Sequence, residues 1–374
     1  MPGIYIHIPF CRLACHYCDF HFSTNLSLKE QMLGMICREI EMRADYTVDK
    51  KIGTIYFGGG TPSLLSEKEL GQIMNALHKE FSIDKDAEIT LEANPDDLDE
   101  KTLAAIQRAG INRLSIGIQS FHEAHLKYLN RIHSAAQALN SVQKAQQQGF
   151  ENISIDLIYG IPAKDDIIWN QDLETVLGLK VQHISSYCLT IEPSTVFGKW
   201  LEKKVIRPVD EEMAARQFEI LMKTMRENGF EHYEISNFSL PELYSKHNTS
   251  YWQGKKYLGI GPGAHSFNGD ERQFNISNNQ IYINSILKGE IPSTIEKLSE
   301  KDKINEYLMT SLRTKWGCDL NRLKDLPEFQ YSRQYKKIEK MANDQLITNN
   351  SGILILTDKG KLLADKIIYD LFLI

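Results

Sequence analysis

Cysteine is scarce in this sequence, with six in 374 residues. That number is too small for a disulfide framework in a chain of this length, so a cluster of cysteines indicates metal binding or chemistry. Long apolar runs are also absent, and none approaches the roughly 20 residues that a membrane-spanning helix needs. The first residues lack the basic start and apolar stretch of a secretion signal, so we expect a cytoplasmic protein.

Positive charge is not clustered. The chain has 43 lysines and arginines against 49 aspartates and glutamates, a formal net charge of −6, and no run rich in basic residues. Because capture of nucleic acid or anionic membrane depends on clustered positive charge, we expect neither as the main partner. A hydrophobic content of 42% is that of an ordinary globular chain with a substantial core.

Short β-rich runs alternate with longer runs of helical period. The predicted strands are residues 4–8, 54–57, 88–92, 113–119, 152–158 and 183–190. The predicted helices are residues 28–44, 67–81, 100–109, 135–148, 169–177 and 211–228. Several helical runs end at a glycine, as at Gly110, Gly149 and Gly229, which is typical of the residue after a helix. This alternation predicts parallel strands joined by crossover helices.

Six strand–helix units in residues 1–230 predict an α/β fold, a partial (β/α)6 barrel with active-site groups where strands pass into loops. Residues 231–294 are rich in Gly, Asn, Tyr and Trp, and we expect them to form an irregular extension.

The tail, residues 295–374, has a different character. Helical runs at 303–314, 320–324 and 331–344, a strand pair around 349–352 and a last helix from Lys359 predict a winged-helix-like α+β module. Residues 301–374 carry a net charge of only +3, which favours a structural or protein-contact role over DNA binding.

Three of the cysteines lie together in Cys11-Arg-Leu-Ala-Cys15-His-Tyr-Cys18, directly after the first predicted strand. Three thiolates on one tight loop can bind zinc or an iron–sulfur cluster. Zinc would take a fourth ligand from the nearby histidines, which are His7, His16 and His21. A cubane cluster would instead keep one iron open for another ligand.

The CxxxCxxC spacing after the first strand of a partial barrel resembles the signature of the radical S-adenosylmethionine (SAM) superfamily. The resemblance implies a [4Fe–4S] cluster bound by Cys11, Cys15 and Cys18, with SAM on the open iron. It also implies that the segment after the second strand, Gly58-Gly59-Gly60-Thr61-Pro62, binds the methionine end of SAM through Gly59, Gly60 and Thr61.

Polar residues follow several of the predicted strands, on the rim where functional side chains gather in barrels. Asp156 stands out because a carboxyl inside an apolar strand must find a polar partner or ligand. The chain also resembles oxygen-independent coproporphyrinogen III oxidase over nearly its whole length. That resemblance implies that the SAM-binding site is lined by Tyr5, Tyr17, Glu92, Gln119, Arg131 and Asp156, and that Cys188 can reach this site.

The sequence departs from the oxidase at Phe20, where the enzyme has a further cysteine. It resembles instead the HemW-type haem chaperones, whose start YIHIPFCxxxCxYCDF is matched from Tyr5 to Phe20 and whose HNxxYW haem motif is matched by His247-Asn-Thr-Ser-Tyr251-Trp252. An imidazole can ligate haem iron, and Tyr and Trp offer flat faces to a porphyrin. The alternative is that His247 is a hydrogen-bonded loop residue and that the two aromatic residues pack in the core.

The resemblance implies a haem chaperone that binds haem through His247, Tyr251 and Trp252 and delivers it to respiratory membrane proteins. It assigns no catalytic residue and leaves a homodimer open. The other interpretation is an enzyme of porphyrin biosynthesis, a radical SAM coproporphyrinogen III oxidase that forms protoporphyrinogen IX. A zinc-binding module is a third.

Overall fold

The computed structural model describes residues 1–329 and 331–373. Its strands are β1 Gly3–Ile8, β2 Lys51–Gly59, β3 Ser82–Ala93, β4 Arg113–Gln119, β5 Asn152–Tyr159, β6 His183–Cys188, β7 Glu231–Glu234, β8 Asn237–Ser239, β9 Tyr257–Ile260, β10 His265–Phe267, β11 Glu271–Asn275, β12 Ser293–Lys297, β13 Cys318–Asp319, β14 Ile347–Asn350 and β15 Ile353–Leu356. Its helices are α1 Lys29–Met42, α2 Glu67–Glu80, α3 Glu100–Arg108, α4 Glu123–Tyr128, α5 Ala135–Gln147, α6 Ile167–Gly178, α7 Val196–Glu202, α8 Glu211–Glu227, α9 Lys246–Trp252, α10 Asn279–Leu287, α11 Glu300–Leu312, α12 Tyr331–Asn343, α13 Asp358–Lys361 and α14 Ala364–Leu371.

The main sheet has the order β12-β11-β10-β9-β1-β2-β3-β4-β5-β6-β8-β7. Strands β1 to β6 pair in chain order and all run parallel, with crossover helices between them. In the described residues β1 and β6 do not pair with each other, so the sheet is an open barrel. The predicted partial (β/α)6 fold is therefore confirmed.

The parallel strands alternate in character from one residue to the next. Ile4, Ile6 and Ile8 of β1 are fully buried in the main hydrophobic core, together with apolar residues of the crossover helices. Tyr5 and His7, on the opposite face of β1, line a cavity inside the barrel. Because successive side chains of a strand point to opposite faces, the helices cover an apolar outer face, and a polar, aromatic inner face surrounds the interior.

Residues 231–294 are not irregular, and that prediction was wrong. Strands β7 and β8 extend the sheet beyond β6, and β9 pairs in parallel with β1 and begins a further antiparallel extension through β12. The strands are short and rich in polar and aromatic residues, which is why no apolar alternation marked them in the sequence. The segment therefore completes both edges of the barrel.

A buried polar network attaches α1 to this extension. Glu39 is fully buried and accepts hydrogen bonds from the Tyr282 hydroxyl (2.6 Å), the backbone amide of Gly261 (2.8 Å) and the Asn275 amide (2.7 Å). Arg43 pairs with Glu39 at 3.2 Å and donates to the Gly259 carbonyl at 2.8 Å. These charge-assisted bonds satisfy a carboxylate that burial would otherwise make costly.

The tail forms the predicted winged-helix-like α+β module. Strands β13, β15 and β14 make a small antiparallel sheet, and α11, α12 and α14 contribute to a second hydrophobic core that includes Leu308, Ile338 and Ile367. The run predicted as a helix over residues 320–324 is a single 3-10 turn, Leu320–Arg322. Within the described ranges, no helix combines the length and apolar character needed to cross a bilayer.

Candidate functional site

The cysteine loop leaves the carboxyl end of β1 and is held in place mainly through its backbone. The Cys11 amide donates to Ser23 O at 3.1 Å, and the Asn130 side chain donates to Ala14 O at 2.7 Å. The carbonyl of His16 accepts from the Phe197 amide, at the start of α7, at 3.0 Å. Because these bonds use the backbone, the thiols of Cys11, Cys15 and Cys18 need not hold the loop and stay half-buried and unoxidised.

The three thiols do not converge on one point. Across residues 1–329 and 331–373, no three His, Cys, Asp or Glu side chains stand close enough to share a single metal ion. A cubane cluster places each thiolate on a different iron, so its ligands do not need a common focus. Burial raises the pKa of Cys11 to about 11 and that of Cys18 to about 12, so ligation releases protons.

The glycine loop after β2 packs directly on the carboxyl end of β1. At Gly60 an added Cβ would lie 2.6 Å from the carbonyl oxygens of both Ile8 and Phe10. Gly59 has a φ of +98°, and a Cβ there would meet the His7 ring at 2.4 Å. Both glycines are therefore required by the contact between the two loops, and the bare backbone stays open to a ligand.

Arg131 connects the cysteine loop to the strand ends. Its guanidinium donates to Cys15 Sγ at 3.4 Å, to Asn94 Oδ1 at 2.6 Å and to Gly117 O at 2.6 Å. Asn94 in turn donates to Thr61 Oγ1 at 3.2 Å, and the Thr61 hydroxyl donates to Cys11 Sγ at 3.3 Å. One chain of hydrogen bonds thus connects two of the three cysteines with two of the residues predicted to bind SAM.

Two buried carboxyl groups lie on the inner face of the barrel. Glu92 accepts from the Tyr56 hydroxyl at 2.8 Å and from the Gly59 amide at 3.2 Å. Burial raises the pKa of Glu92 to about 7, and the nearby Asp156 carboxylate adds to the effect. Burial also raises the pKa of Asp156 to about 6, although Ser115 donates to it at 3.2 Å. Both groups therefore titrate close to neutral pH.

Gln119 has a left-handed backbone, with a φ of +70°. This conformation costs a residue with a Cβ about 1–2 kcal/mol, so the surrounding structure must impose it. The strain falls where β4 ends and a register shift interrupts its pairing with β5. The Gln119 amide nitrogen would lie 3.0 Å from a Cβ at Gly117, beside the Arg131 guanidinium. The strained residue therefore aims its amide into the predicted SAM region.

A cavity of about 510 Å³ opens beside these groups. It is lined by Tyr5, His7, Asp19, Phe20, His21, Tyr56, Gly59, Glu92, Tyr187, His247, Asn248, Tyr251, Tyr257, Gly263, His265 and Ser277. The structure thus brings the predicted residues Tyr5, Gly59 and Glu92 together with His247 and Tyr251 of the HNxxYW segment. Tyr17, which belongs to the cysteine loop itself, is not among the lining residues and packs against the cluster that contains Leu129 and Phe197.

The HNxxYW segment forms the short helix α9, which is docked onto the barrel by Glu88. The Glu88 carboxylate accepts from the backbone amides of Lys246 (3.0 Å) and His247 (2.9 Å), at the helix end where an anion is stabilising. The His247 ring is fully buried and stacks on Tyr56, with ring centroids 5.1 Å apart. Its Nδ1 bonds Thr54 Oγ1 at 2.8 Å and its Nε2 bonds the Tyr251 hydroxyl at 2.7 Å.

The other residues predicted to contact SAM or haem do not line this cavity, and they are Gly60, Thr61, Gln119, Arg131, Asp156, Trp252 and Cys188. Trp252 lines a second cavity of about 430 Å³, between α9, β11 and the tail module, where it is joined by Arg272, Tyr307 and Trp316. Tyr251 contributes to both cavities. Cys188 is exposed at the end of β6 and does not line the first cavity.

Several cavity residues were not predicted to bind SAM or haem, among them His7, Tyr187 and His265. His7 follows the predicted Tyr5 by two residues on β1, so the period of two along a strand was a signal for it, whereas Tyr187 on β6 had no predicted neighbour of this kind. His265 lies on β10, in the segment expected to be irregular, and no comparable signal pointed to it.

Comparison with known proteins identifies the class. Residues 5–174 match the family model of the radical SAM superfamily, and residues 298–363 match that of the HemN C-terminal domain. The structure of coproporphyrinogen III oxidase (HemN) from Escherichia coli superposes with a TM-score of 0.85 at 22% identity, over 99% of this chain and 90% of that chain. The open barrel and its three-cysteine loop are those of a radical SAM protein.

Closer relatives narrow the assignment. The protein is 34% identical to the heme chaperone HemW of Bacillus subtilis over 98% of both chains. It is 34% identical to that of Lactococcus lactis, over 97% of this chain and 95% of the relative. For the heme chaperone HemW of Mycobacterium tuberculosis the identity is 30%, over 98% of this chain and 93% of the relative. The chain belongs to the HemW family.

Proposed function

We propose that this protein is a cytoplasmic haem chaperone that binds haem beside a [4Fe–4S] cluster with exchangeable SAM and delivers the haem to respiratory membrane proteins. The observation that carries the proposal is the position of α9. The helix places His247 and Tyr251 in the wall of the cavity next to the cysteine loop. The relatives named as heme chaperones, at 30–34% identity over nearly the full chain, support the same function.

The residues around the cysteine loop fit a cluster and SAM. Cys11, Cys15 and Cys18 supply three soft donors on one loop, the ligand type that iron–sulfur clusters require. The glycine loop offers bare backbone beside them, and Arg131 brings a positive charge to Cys15. Such a cluster, when bound and reduced, supplies one electron to SAM.

The further SAM contacts are proposed at the strand ends. Glu92, Gln119 and Asp156 carry the polar groups that would meet SAM along the inner face, with Tyr5 and Tyr17 as the flanking rings. Burial raises the pKa of both carboxyl groups, and the nearby Asp156 adds to the shift of Glu92, which supports a polar or cationic partner at this site. A sulfonium cation with an amino group is such a partner.

Haem is the cargo in this proposal. Its macrocycle needs flat apolar surfaces, and Phe20, whose ring is 70% exposed, stands at the cavity mouth with Tyr187. An aromatic ring in this position offers a flat apolar face against which a porphyrin could pack. Phe20 occupies the position at which the resembling oxidase has a cysteine. The same residue therefore favours haem transport rather than decarboxylation as the function.

The test is anaerobic reconstitution followed by titration with haemin. We expect a stoichiometric Soret band that weakens in His247→Ala and in Phe20→Ala. Tyr369→Ala, which removes an equally exposed ring from α14, should bind haemin as wild type does. Failure of the wild-type protein to bind haemin would reject the proposal.

The second candidate function is radical decarboxylation of coproporphyrinogen III, which the HemN-like fold favours. An anaerobic assay with reductant, SAM and coproporphyrinogen III separates the two functions. The carrier predicts no protoporphyrinogen, whereas sustained formation of that product would establish the enzyme. Transfer of bound haem to membranes that contain haem-free respiratory proteins tests delivery.

A further inference from the structure

The second cavity is built by two parts of the chain. Trp252 and Arg272 belong to α9 and β11, on the barrel side, and Tyr307, Trp316 and Arg322 belong to the tail module. Its volume of about 430 Å³ lies within the usual range of small-molecule sites, about 300–1,000 Å³. A stable protein partner would need about 800 Å² of surface on each side, so a cavity of this size favours a small ligand.

The wall of this cavity carries more positive charge than the protein neutralises. Its charged side chains are four cations and one carboxylate, namely Lys255, Arg272, Lys303, Arg322 and Glu306. Glu306 pairs with Arg272 at 2.5 Å, and Lys303 pairs with two carboxylates outside the cavity at 2.9 and 3.0 Å. Lys255 and Arg322 form no ion pair within residues 1–329 and 331–373. Two positive charges of the wall are therefore uncompensated.

Flat aromatic side chains line the same cavity. Trp316 is 37% exposed, although it packs at nearly a right angle to Tyr244 with ring centroids 5.6 Å apart. The Arg322 guanidinium lies over the Tyr307 ring, 4.6 Å from the ring centroid, and this contact holds the cation at the wall. Exposed indole beside unpaired cations provides both a stacking surface and charge-assisted hydrogen-bond donors for a flat anion.

We propose that the second cavity binds a nucleoside monophosphate, with its base against Trp316 and its phosphate at Lys255 and Arg322. A phosphate monoester carries a charge of about −1.5 to −2 at pH 7, which matches two unpaired cations, whereas a single carboxylate would leave one of them unpaired. Every nucleobase has a π-face that stacks on an aromatic side chain. The binding is non-covalent, and the inference does not depend on the proposed haem-carrier function.

This site is separate from the proposed SAM site. None of the cysteine-loop thiols lines the second cavity in the described part of the chain, and Glu92 lines only the first. The two cavities share Tyr251 and Tyr257 as a common wall. Because SAM itself contains adenosine, the sharpest test is whether a nucleotide binds while SAM is also present.

The experiment is isothermal titration calorimetry of the full-length, reconstituted protein with adenosine monophosphate (AMP) in the presence of saturating SAM. We expect one AMP to bind per chain. Adenosine lacks the charge and inorganic phosphate lacks the ring, so each should bind at least about tenfold more weakly. The affinity for AMP should also fall as salt is added, since exposed charges are screened.

Two variants remove the proposed phosphate contacts, and a third removes the stacking surface. Arg322→Gln and Lys255→Gln should each raise the AMP dissociation constant about tenfold. Trp316→Ala should raise it by a similar factor, about tenfold, and Trp316→Phe, which keeps a ring, should recover part of the loss. The control is Arg226→Gln, because Arg226 pairs with Asp358 of the tail module outside the cavity. That variant should bind AMP as the wild type does.

Thermal unfolding curves verify that each variant is folded, and Lys255, as an exposed side chain, can be replaced without loss of packing. Absence of AMP binding by the wild type at concentrations on the order of 1 mM would overturn the proposal. Displacement of AMP by SAM would do so as well, since the nucleotide would then occupy the SAM site. An equal loss in Arg226→Gln and Arg322→Gln would also reject it, because loosening of the tail module would then explain both.

Discussion

The Tyr56 hydroxyl donates a 2.8 Å hydrogen bond to Glu92 Oε1 inside the barrel, joining β2 to β3 across their inner faces. Tyr56 also stacks on His247 of α9. One side chain therefore contacts both the carboxyl group proposed to bind SAM and the histidine proposed to bind haem. The two parts of the site share a wall.

The first prediction concerns Glu92 and pH. Burial raises its pKa from 4.5 to about 7, so between these values the folded protein binds more protons than the unfolded chain. Stability should therefore fall as pH rises through this window, by about 2 kcal/mol after allowance for partial solvent access. Glu92→Gln should flatten the pH dependence of the free energy of unfolding by this amount, measured by urea denaturation from pH 5 to 8.

Tyr56→Phe should strengthen the pH dependence that Glu92→Gln removes. The Tyr56 hydrogen bond favours the charged form of Glu92, so its removal should raise the carboxyl pKa further and extend the loss of stability to higher pH. A slope in Glu92→Gln equal to that of the wild type would show that the carboxyl is not the source of the effect.

The second prediction concerns Gly60. Alanine there would place Cβ 2.6 Å from two backbone carbonyl oxygens, so Gly60→Ala should destabilise the fold by about 2 kcal/mol and reduce cluster incorporation. Gly71 lies inside α2 with nothing within 4 Å of an added Cβ, and Gly71→Ala should stabilise by about 0.5–1 kcal/mol. Thermal unfolding of both variants tests the comparison, and equal effects would contradict it.

Much of the barrel was predictable because its signals are local. The run Ile4, Ile6, Ile8 alternates with the inner residues Tyr5 and His7, and each crossover helix has its own apolar stripe. Helix ends were equally local: Ser66 and Glu69 form a capping box that starts α2 where the sequence pattern places it. Such features depend on neighbours within one or two turns and can be predicted without knowledge of the fold.

The remaining features depend on contacts between distant residues. The docking of α9 rests on Glu88 and Thr54, more than 150 residues earlier in the chain. The sequence motif grouped His247, Tyr251 and Trp252 as one site, but helical geometry turns Trp252 toward the tail module. The extension of the sheet through β9 likewise depends on pairing with β1, which lies more than 200 residues earlier in the chain, and no local sequence pattern indicates that pairing.

The third prediction concerns the link between α1 and that extension. Glu39 accepts from Tyr282, Gly261 and Asn275, so Glu39→Ala should leave these donors and Arg43 without their partner. We expect a loss of about 3 kcal/mol in the free energy of unfolding, since one charge of a buried pair stays uncompensated. The control is Glu41, which follows Glu39 by two residues on α1, is half-exposed and pairs with Lys79 of α2. Glu41→Ala should change the free energy of unfolding by less than about 1 kcal/mol.

The fourth prediction separates the two cavities. Because Trp252 lines the second cavity, Trp252→Ala should lower haemin affinity less than Phe20→Ala does and should leave the position of the Soret band unchanged. Haemin titration of the two variants, with unfolding curves to verify that both are folded, makes the comparison. A larger loss in Trp252→Ala would place the porphyrin between α9 and the tail module.

The fifth prediction concerns the metal itself. After anaerobic reconstitution with iron and sulfide, the wild-type protein should be brown and contain about four of each per chain, the content of one cubane cluster. Cys15→Ala should lose most of this content because one of three protein ligands is missing and the Arg131 contact to Cys15 Sγ is lost with it. Cys37→Ala removes a half-buried thiol from α1 and should retain full iron and sulfide. Stoichiometric zinc in a colourless wild-type protein that takes up neither iron nor sulfide would show that the loop is a zinc site, and the proposed SAM site would then lack its anchor.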